Sequence, residues 1–216
     1  MKKLTLQFVY SFVMRRFLRW YVGVELEVAS FLKEYDQFII VANHNSHLDT
    51  MSLMSSVPRS IVHKVRPVAA ADHFGKTKLK GKLTNYFVNS LLIQRKRDKE
   101  NPENDPINQM IKALDEGYSL IIFPEGTRGE PEVKQALKPG VALVLKERPN
   151  VPFVPAYMEG MGKAMPKDDA LIVPVASKLI YGQAQKIEAN DTVESILSKI
   201  EQALIDLSIK IDEVDD

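Results

Sequence analysis

The sequence predicts an α/β fold in which helices flank a largely buried β-sheet. Short apolar runs typical of buried strands alternate along the chain with amphipathic segments at helical spacing. Two of these runs end in turns rich in polar side chains, where the active sites of α/β proteins commonly lie. The chain has 216 residues, 45% of them hydrophobic and 26% charged, with no repeat or long linker, so we expect one domain over residues 1–216.

Residues 1–24 are predicted to form an N-terminal helix at a membrane interface. An apolar block over residues 8–14 precedes Arg15, Arg16 and Arg19, which a regular helix places on one side. The three arginines interrupt the segment well short of the about 20 apolar residues that cross a bilayer. A signal peptide is excluded because the charges follow the apolar block and no small-residue cleavage site is present. The alternative is a helix that packs on the protein's own core.

The remaining chain supplies the strands and helices of the predicted sandwich. Asp105-Pro106 is expected to open a helix that Gly117 ends. The stretch from Asp191 to Glu194 resembles a capping box, and a C-terminal helix over residues 191–211 is expected to pack its apolar face on the core. The predicted strands cover residues 38–42, 68–70, 91–93, 118–123, 153–154 and 178–181.

The first polar turn, residues 43–49, carries a histidine and a carboxylate suited to general-base chemistry. An alcohol at neutral pH is a weak nucleophile, so a neutral imidazole must take its proton while a carboxylate stabilises the imidazolium. On one regular helix or strand, the spacing of His44 and Asp49 would point their side chains apart. We therefore predict a strand, a turn near Asn43 and a helix from about Leu48, which together fold the two side chains into contact.

The second polar turn, residues 123–129, follows the strand-like run that ends at Phe123. Pro124 stops the strand's hydrogen-bond ladder, and Gly126 permits backbone conformations that are closed to other residues. Arg128 presents a planar fork of donors that matches phosphate or carboxylate. The turn is therefore a candidate anion site, and a surface turn with an exposed arginine is the alternative.

His-x-x-x-x-Asp after one strand, followed by Phe-Pro-Glu-Gly-Thr-Arg after another, resembles the glycerolipid acyltransferase family, in particular its 1-acyl-glycerol-3-phosphate acyltransferases. The resemblance covers residues 25–185, the expected catalytic core, and implies a mixed sheet flanked by helices. Two weaker blocks lie at residues 89–95 and 151–156. In the first, the family often has Gly and Phe where this chain has Asn89 and Leu92, which leaves the identity of the acceptor open.

The resemblance implies transfer of a fatty acyl group from acyl-CoA or acyl carrier protein to the free hydroxyl of a lysophospholipid, typically lysophosphatidic acid giving phosphatidic acid. His44 would be the general base and Asp49 its orienting carboxylate. Arg95 and Arg128 would hold the phosphate. No metal and no cofactor are required. The remaining predicted site residues are Glu125, Gly126 and Thr127, with a binding role, and Asn43, Ser46, Pro124 and Pro155, with a supporting role.

Three alternatives stay open at this level. The acceptor could be another lyso-lipid, for example a lyso-ornithine lipid. A metal-dependent hydrolase could use His44, His47 and Asp49 as ligands, although the arginine of the second turn then has no role. A catalytically silent lipid-binding module could keep the fold. The chain has no cysteine and no Gly-x-Ser-x-Gly elbow, so we expect direct attack by the acceptor rather than an acyl-enzyme, for which Ser46 is the available hydroxyl.

The net charge of +1 hides a strong asymmetry in charge along the chain. Residues 59–99 contain eleven Lys or Arg but only two Asp, whereas residues 187–216 contain nine Asp or Glu but two Lys. The basic segment would suit an anionic membrane surface, coenzyme A phosphates or an acidic carrier protein, with a solvated face as the alternative. Nucleic acid is not an expected partner because no reader motif accompanies the charges. We expect a membrane-associated protein on the cytoplasmic face.

Overall fold

A seven-stranded sheet forms the centre of the protein, in a computed structural model that describes residues 1–71, 86–98, 100–129, 135–165 and 171–215. The strand order is β1-β7-β6-β2-β5-β3-β4. The strands are β1 (Val24–Leu26), β2 (Ile39–Ala42), β3 (Val65–Ala70), β4 (Leu91–Ile93), β5 (Ser119–Ile122), β6 (Phe153–Glu159) and β7 (Ser177–Tyr181).

The sheet is mixed, as predicted. Strands β6, β2, β5, β3 and β4 are parallel neighbours, whereas β7 pairs antiparallel with β6 and parallel with β1. The central strand β2 pairs with β5 through Val41 and Ile122, and with β6 through Val41 and Pro155. Because neighbouring parallel strands end at the same edge of a sheet, the turns that follow β2 and β5 are brought side by side.

Helices cover both faces of the sheet. The described helices are α1 (Lys2–Phe8), α2 (Arg15–Phe17), α3 (Leu48–Ser56), α4 (Pro106–Asp115), α5 (Gly140–Glu147), α6 (Met161–Ala164) and α7 (Val193–Asp215). The predicted strand-turn-helix after residue 38 is confirmed by β2 and α3. The predicted helix from Asp105-Pro106 is α4, where the Asp105 carboxylate caps the backbone N–H groups of Ile107 and Asn108.

The strand β2 is an unbroken apolar run because both of its faces are buried. Ile40 and Ala42 pack into a core with the N-terminal helical segment and α3, whereas Ile39 and Val41 pack into a second core with α4, α5 and α7. A strand that is buried on both faces has no position for a polar side chain. Both cores are therefore closed by helices, and the sheet is largely buried as predicted.

The N-terminal segment over residues 2–22 is helical, with π-helical turns at Val9–Met14 and Leu18–Val22 between α-helical ones. Its buried residues lie four positions apart, with the half-buried Met14 between the two pairs: Leu6 and Tyr10, then Leu18 and Val22. The segment therefore packs one side on the core. The Arg15 side chain is half-buried and its Nε donates to the carbonyl of Ser55 at 2.8 Å at the end of α3, whereas Arg16 and Arg19 are exposed. Burial, followed by the nearby charges of Arg19 and Arg16, lowers the pKa of Arg15.

The C-terminal helix begins one position later than the capping-box prediction. Thr192 is the residue that caps it, since the Thr192 hydroxyl accepts from Ser195 N–H at 3.1 Å. The Asp191 carboxylate instead binds Lys199 Nζ at 2.6 Å. The buried residues of this helix are Ile196, Ile200, Ala203, Leu204, Leu207 and Ile211.

Candidate active site

The two polar turns meet at the edge of the sheet where β2 and β5 end. Residues 43–49 connect β2 to α3, and residues 123–129 follow β5. The backbone N–H of Gly129 donates to the His44 carbonyl at 2.9 Å, so the second turn is bonded directly to the first. The parallel pairing of β2 with β5 thus brings together two motifs that lie far apart in the sequence.

His44 and Asp49 are in contact. His44 Nδ1 lies 2.8 Å from Asp49 Oδ2, and the same oxygen accepts from the backbone N–H of Asn45 at 2.7 Å and of Ser46 at 2.8 Å. The Asp49 side chain is 1% exposed, and the His44 side chain is 18% exposed. Because the Asp49 carboxylate can only accept here, the tautomer with the proton on Nδ1 and a free lone pair on Nε2 is favoured, and Nε2 can accept a proton.

The imidazole ring is also held from its face. The ring of Phe123 stacks on His44 with centroids 4.0 Å apart and an interplanar angle of 15°. Asn43 supports the turn from the other side, since its amide exchanges two 2.8 Å hydrogen bonds with the backbone of Met158 on β6. The ring orientation is therefore fixed by packing as well as by hydrogen bonds before any substrate binds.

Ser46 is a structural part of the turn. It is 0% exposed, and its hydroxyl donates to the Met165 carbonyl at 2.8 Å while accepting from Leu48 N–H at 3.2 Å. Of the residues that the structure describes, those lining the cleft beside His44 do not include Ser46. A buried hydroxyl with this geometry is poorly placed to become acylated, which favours the supporting role predicted for it.

Glu125 faces the backbone of His44 rather than the cleft. Its carboxylate accepts a hydrogen bond from the His44 N–H, and its Oε2 accepts from Gln135 Nε2 at 2.8 Å. Burial raises the pKa of Glu125 to about 7, with the nearby Asp49 charge adding to the rise and both hydrogen bonds opposing it. The second turn therefore binds the peptide groups on both sides of the base, through Glu125 and through Gly129.

Cationic side chains line the mouth of the same cleft. Arg128 lies against the His47 ring, and Arg95 donates to the Gly126 carbonyl at 3.4 Å. Arg97 is paired with the buried Asp105 carboxylate. Lys138 lies over Gly126, whose backbone φ is +72° and whose lack of a side chain leaves room for the lysine. This arrangement would attract a phosphate next to the imidazole.

The cleft itself is large and mostly apolar. It has a volume of about 920 Å³ and extends from His44 between β3, β4 and the helices α4 and α5. That is within the range of pockets that bury small molecules of lipid size. Its apolar wall includes Met51, Val68, Ala69, Ile93, Ile107, Met110 and Leu143.

Pro155 is a predicted site residue that lies inside the sheet rather than in either polar turn. It pairs with Val41 inside the sheet, and its ring faces Gly182. Among the described residues, those lining the cleft do not include Pro155, so its contribution is to the sheet beneath the site. Pro124, which was also predicted to support the site, is buried and accepts from Lys138 N–H at 2.8 Å.

The sequence reasoning missed three contributors. Gln135 and Lys138 lie beyond the second motif, where no pattern marked them. Asn89 stands where the related family often has glycine, and its φ of 59° shows why: this left-handed backbone is open to Gly and, among other residues, best to Asn. Its amide donates to the Val65 carbonyl at 2.9 Å, which ties the start of β4 to β3.

The structure also bears on the alternative metal site and on the basic segment of residues 59–99. Within the described residues, His, Asp and Glu side chains form no group of three or more suited to a metal ion, and His47 lies against Arg128 instead. In the basic segment, Arg59, Lys64 and Arg66 are described, whereas Lys76, Lys78, Lys80 and Lys82 lie outside the described residues.

Curated proteins and solved structures resemble this chain. Tafazzin of Drosophila melanogaster is 26% identical over 159 residues, which is 72% of this chain and 41% of that protein, so the chain spans less than half of its length. The 1-acyl-sn-glycerol-3-phosphate acyltransferase of Bacillus subtilis (strain 168) is 25% identical over 182 residues, covering 82% of this chain and 84% of that protein.

The crystal structure of PlsC, the 1-acyl-sn-glycerophosphate (LPA) acyltransferase of Thermotoga maritima, matches with a TM-score of 0.76 at 21% identity, covering 98% of this chain and 81% of that one. This match confirms the predicted mixed α/β fold. The Acyltransferase family model matches residues 23–178, which include both polar turns and most of the sheet. The recognition from sequence is confirmed: the chain belongs to the acyltransferase family.

Proposed function

We propose that this protein transfers a fatty acyl group from acyl-CoA or acyl carrier protein to the free hydroxyl of a lysophospholipid, with 1-acyl-glycerol-3-phosphate as the preferred acceptor and phosphatidic acid as the product. The observation that carries the proposal is the 2.8 Å contact between His44 Nδ1 and Asp49 Oδ2 at the mouth of a large apolar cleft lined with cations. The Bacillus relative, whose name states this reaction, supports the choice of acceptor.

The chemistry follows from the free nitrogen of the base. His44 Nε2 takes the proton of the acceptor hydroxyl as its oxygen attacks the thioester carbonyl, and Asp49 stabilises the imidazolium that forms. When the tetrahedral intermediate collapses, the carbon–sulfur bond breaks and the same nitrogen returns the proton to the departing thiolate. The products are an ester and a free thiol, and no protein residue is acylated.

The cleft would hold the acceptor and the acyl donor with their reacting groups next to each other. Arg95 and Arg128 would bind the acceptor phosphate, with Lys138 as a third cation, so that the free hydroxyl lies beside His44. The apolar wall formed by β3, β4, α4 and α5 would hold an acyl chain. Holding two reactants in this way converts a bimolecular reaction into one between neighbours in a single site.

The test is a product assay with purified protein. Several acyl-CoA and acyl carrier protein donors are combined with a panel of lyso-lipids, including lysophosphatidic acid and a lyso-ornithine lipid, and the esters are identified by mass. We expect phosphatidic acid as the main product, formed about 10² to 10⁴-fold more slowly by the His44→Ala protein. Acyl transfer only to acceptors that lack a phosphate would overturn the roles of Arg95 and Arg128, and release of free fatty acid alone would show a hydrolase.

We also propose that the protein acts at the cytoplasmic surface of a membrane. Phe8, Phe12 and Trp20 are exposed by 57%, 49% and 79% and project from one side of the N-terminal helical segment. Phe8 stacks on Phe12, and the Arg16 guanidinium lies over the rings of Phe12 and Trp20. Aromatic rings with cations among them suit the interfacial region of a bilayer. No helix among the described residues combines the length and apolar content that a bilayer crossing requires.

Charge near the start of this segment indicates an anionic lipid surface. Lys3 and Lys64 approach His63 and, after burial itself, lower the pKa of its ring, and Lys2 lies near Arg66. Such a concentration of like charge would be relieved by acidic headgroups. Replacing Phe8, Phe12 and Trp20 by Ser should reduce co-sedimentation with anionic vesicles by about tenfold. Ile209→Ser, at a residue of α7 that is 51% exposed, is the matched control and should bind as the wild type does.

A further inference from the structure

The Gln135 side chain forms hydrogen bonds to the second turn, close to the backbone of His44. Its Nε2 donates to Glu125 Oε2 at 2.8 Å and to the Thr127 carbonyl at 3.3 Å. The Glu125 carboxylate in turn accepts from the backbone N–H of His44. The amide of Gln135 is thus joined to the catalytic turn through one buried carboxylate.

We propose that Gln135 is a positioning residue for acyl transfer: by donating to Glu125 it holds that carboxylate against the backbone N–H of His44, which keeps the base in place. The inference rests on the proposed role of His44. Gln135 does not line the cleft among the described residues, so it would act through Glu125 rather than on the substrate.

Because Glu125 is buried, the hydrogen bond from Gln135 has a strong influence on the charge of its carboxyl group. Glu125 is 8% exposed, and besides burial the neighbouring Asp49 disfavours its charged form. The groups that favour the charged form are the His44 N–H and Gln135, while the cations nearby, Lys138 and Arg95, lie on Gly126. Because the pKa of Glu125 lies close to neutral pH, the number and strength of its hydrogen-bond donors decide whether it is ionised or neutral there.

Gly129 gives an independent indication that the place of Gln135 is fixed. A Cβ added to Gly129 would lie 2.2 Å from Gln135 Nε2, so the amide is packed directly against the glycine backbone. The same glycine donates its N–H to the His44 carbonyl. Gly129→Ala should therefore displace the Gln135 amide while the Gly129 backbone donor is retained, which provides a second route to the same perturbation.

The experiment measures the pH dependence of kcat/KM for three variants with matched acceptor and donor. Gln135→Met removes the donor, so protonation of Glu125 becomes easier and the acid limb of the profile should move up by about one pH unit. Gly129→Ala should move the limb in the same direction. Gln135→Lys supplies a charged donor and should move the limb down. Gln202→Met, which removes an amide bonded to Asp206 on the exposed side of α7, should leave the profile unchanged.

A direct titration of Glu125 separates this inference from the proposed function. Carbon-13 NMR of labelled glutamate carboxyls, assigned with Glu125→Gln, reports the protonation of Glu125 whether or not the protein transfers acyl groups. We expect the Glu125 midpoint to rise in Gln135→Met and to fall in Gln135→Lys. Unchanged midpoints, or shifted midpoints with superimposable rate profiles, would overturn the inference and leave His44 as the base. Absence of acyl transfer in the wild type would overturn the proposed function instead.

Discussion

The turn after β2 and the turn after β5 lie side by side, but they are built differently. In the first turn, residues 43–49, the Asp49 side chain is 1% exposed and one of its oxygens accepts three hydrogen bonds. In the second turn, residues 123–129, Gly126 and Thr127 are exposed and Arg128 is half-buried. The first turn is fixed before substrate arrives, whereas the cation of the second turn, Arg128, remains accessible to a ligand.

This difference in burial matches the different functions expected of the two turns, proton transfer for the first and phosphate binding for the second. A proton transfer requires a base held within a few tenths of an ångström of its working position, and burial with several donors achieves that. A phosphate site must admit a hydrated ion and release the product, so its cations gain from exposure. We therefore expect changes to His44 and Asp49 in the first turn to lower kcat, and changes to Arg128 in the second turn to raise KM for the acceptor.

The largest effect is expected for His44→Ala. Loss of the base should lower kcat by about 10² to 10⁴-fold with little change in KM, because the cleft and its cations remain in place. Steady-state kinetics with a thermal unfolding scan measure both quantities. A folded variant with kcat within tenfold of wild type would break the comparison, since the first turn would then not contain the base.

Asp49→Asn should have the next largest effect. An amide oxygen cannot stabilise an imidazolium as a carboxylate does, so kcat should fall by about 10²-fold while the side chain keeps its size. The variant is measured across a pH range to separate a lower kcat from a displaced pH optimum. Full activity at a higher pH would indicate that Asp49 only adjusts the protonation of His44.

Arg128→Gln is expected to act on binding. Removing the guanidinium should raise KM for a phosphate-bearing acceptor by about tenfold and leave kcat within a few-fold of wild type. Arg95→Gln should act in the same direction. The matched measurement uses an acceptor that lacks the phosphate, for which neither change should alter KM. Equal effects on both acceptors would assign the arginines to the fold or to the acyl donor.

Lys138→Gln should have the smallest effect, about threefold on the same KM. Lys138 is exposed, and exposed cations contribute little because solvent and salt screen them. The KM of the wild type should rise with ionic strength, and that of Lys138→Gln should rise less steeply. If Lys138→Gln weakens binding more than Arg128→Gln does, the phosphate lies over Gly126 rather than beside His47.

Local chemistry made several features predictable from sequence. The apolar run over residues 38–42 had to be buried on both sides, and a turn at Asn43 was the way for His44 to meet Asp49 five residues on. The Asp105 cap and the strand at residues 91–93 were equally local. The capping box pointed to Asp191 rather than Thr192, because a carboxylate and a hydroxyl in adjacent positions both suit a cap; in the structure Asp191 instead binds Lys199, about two turns along.

Residues without a local signal could not be found in this way. Gln135 lies 10 positions beyond Glu125, and no spacing rule predicts that its amide donates to that carboxylate. The Ser55 carbonyl that Arg15 Nε binds lies 40 positions along the chain, so the spacing of residues within the N-terminal segment does not predict it. In both cases the partner lies on a different element of the fold.

The sequence by itself determined which groups could react: an imidazole with a carboxylate after one strand, and a turn with glycine and arginine after another. It determined this because residue type and short spacing control local geometry and chemistry. Only the tertiary structure decided that the two turns touch, that Gly129 and Glu125 bond the backbone of His44 on both sides, and that the cations face the same cleft. These contacts depend on which strands pair, and pairing follows from the burial of whole faces rather than from any single motif.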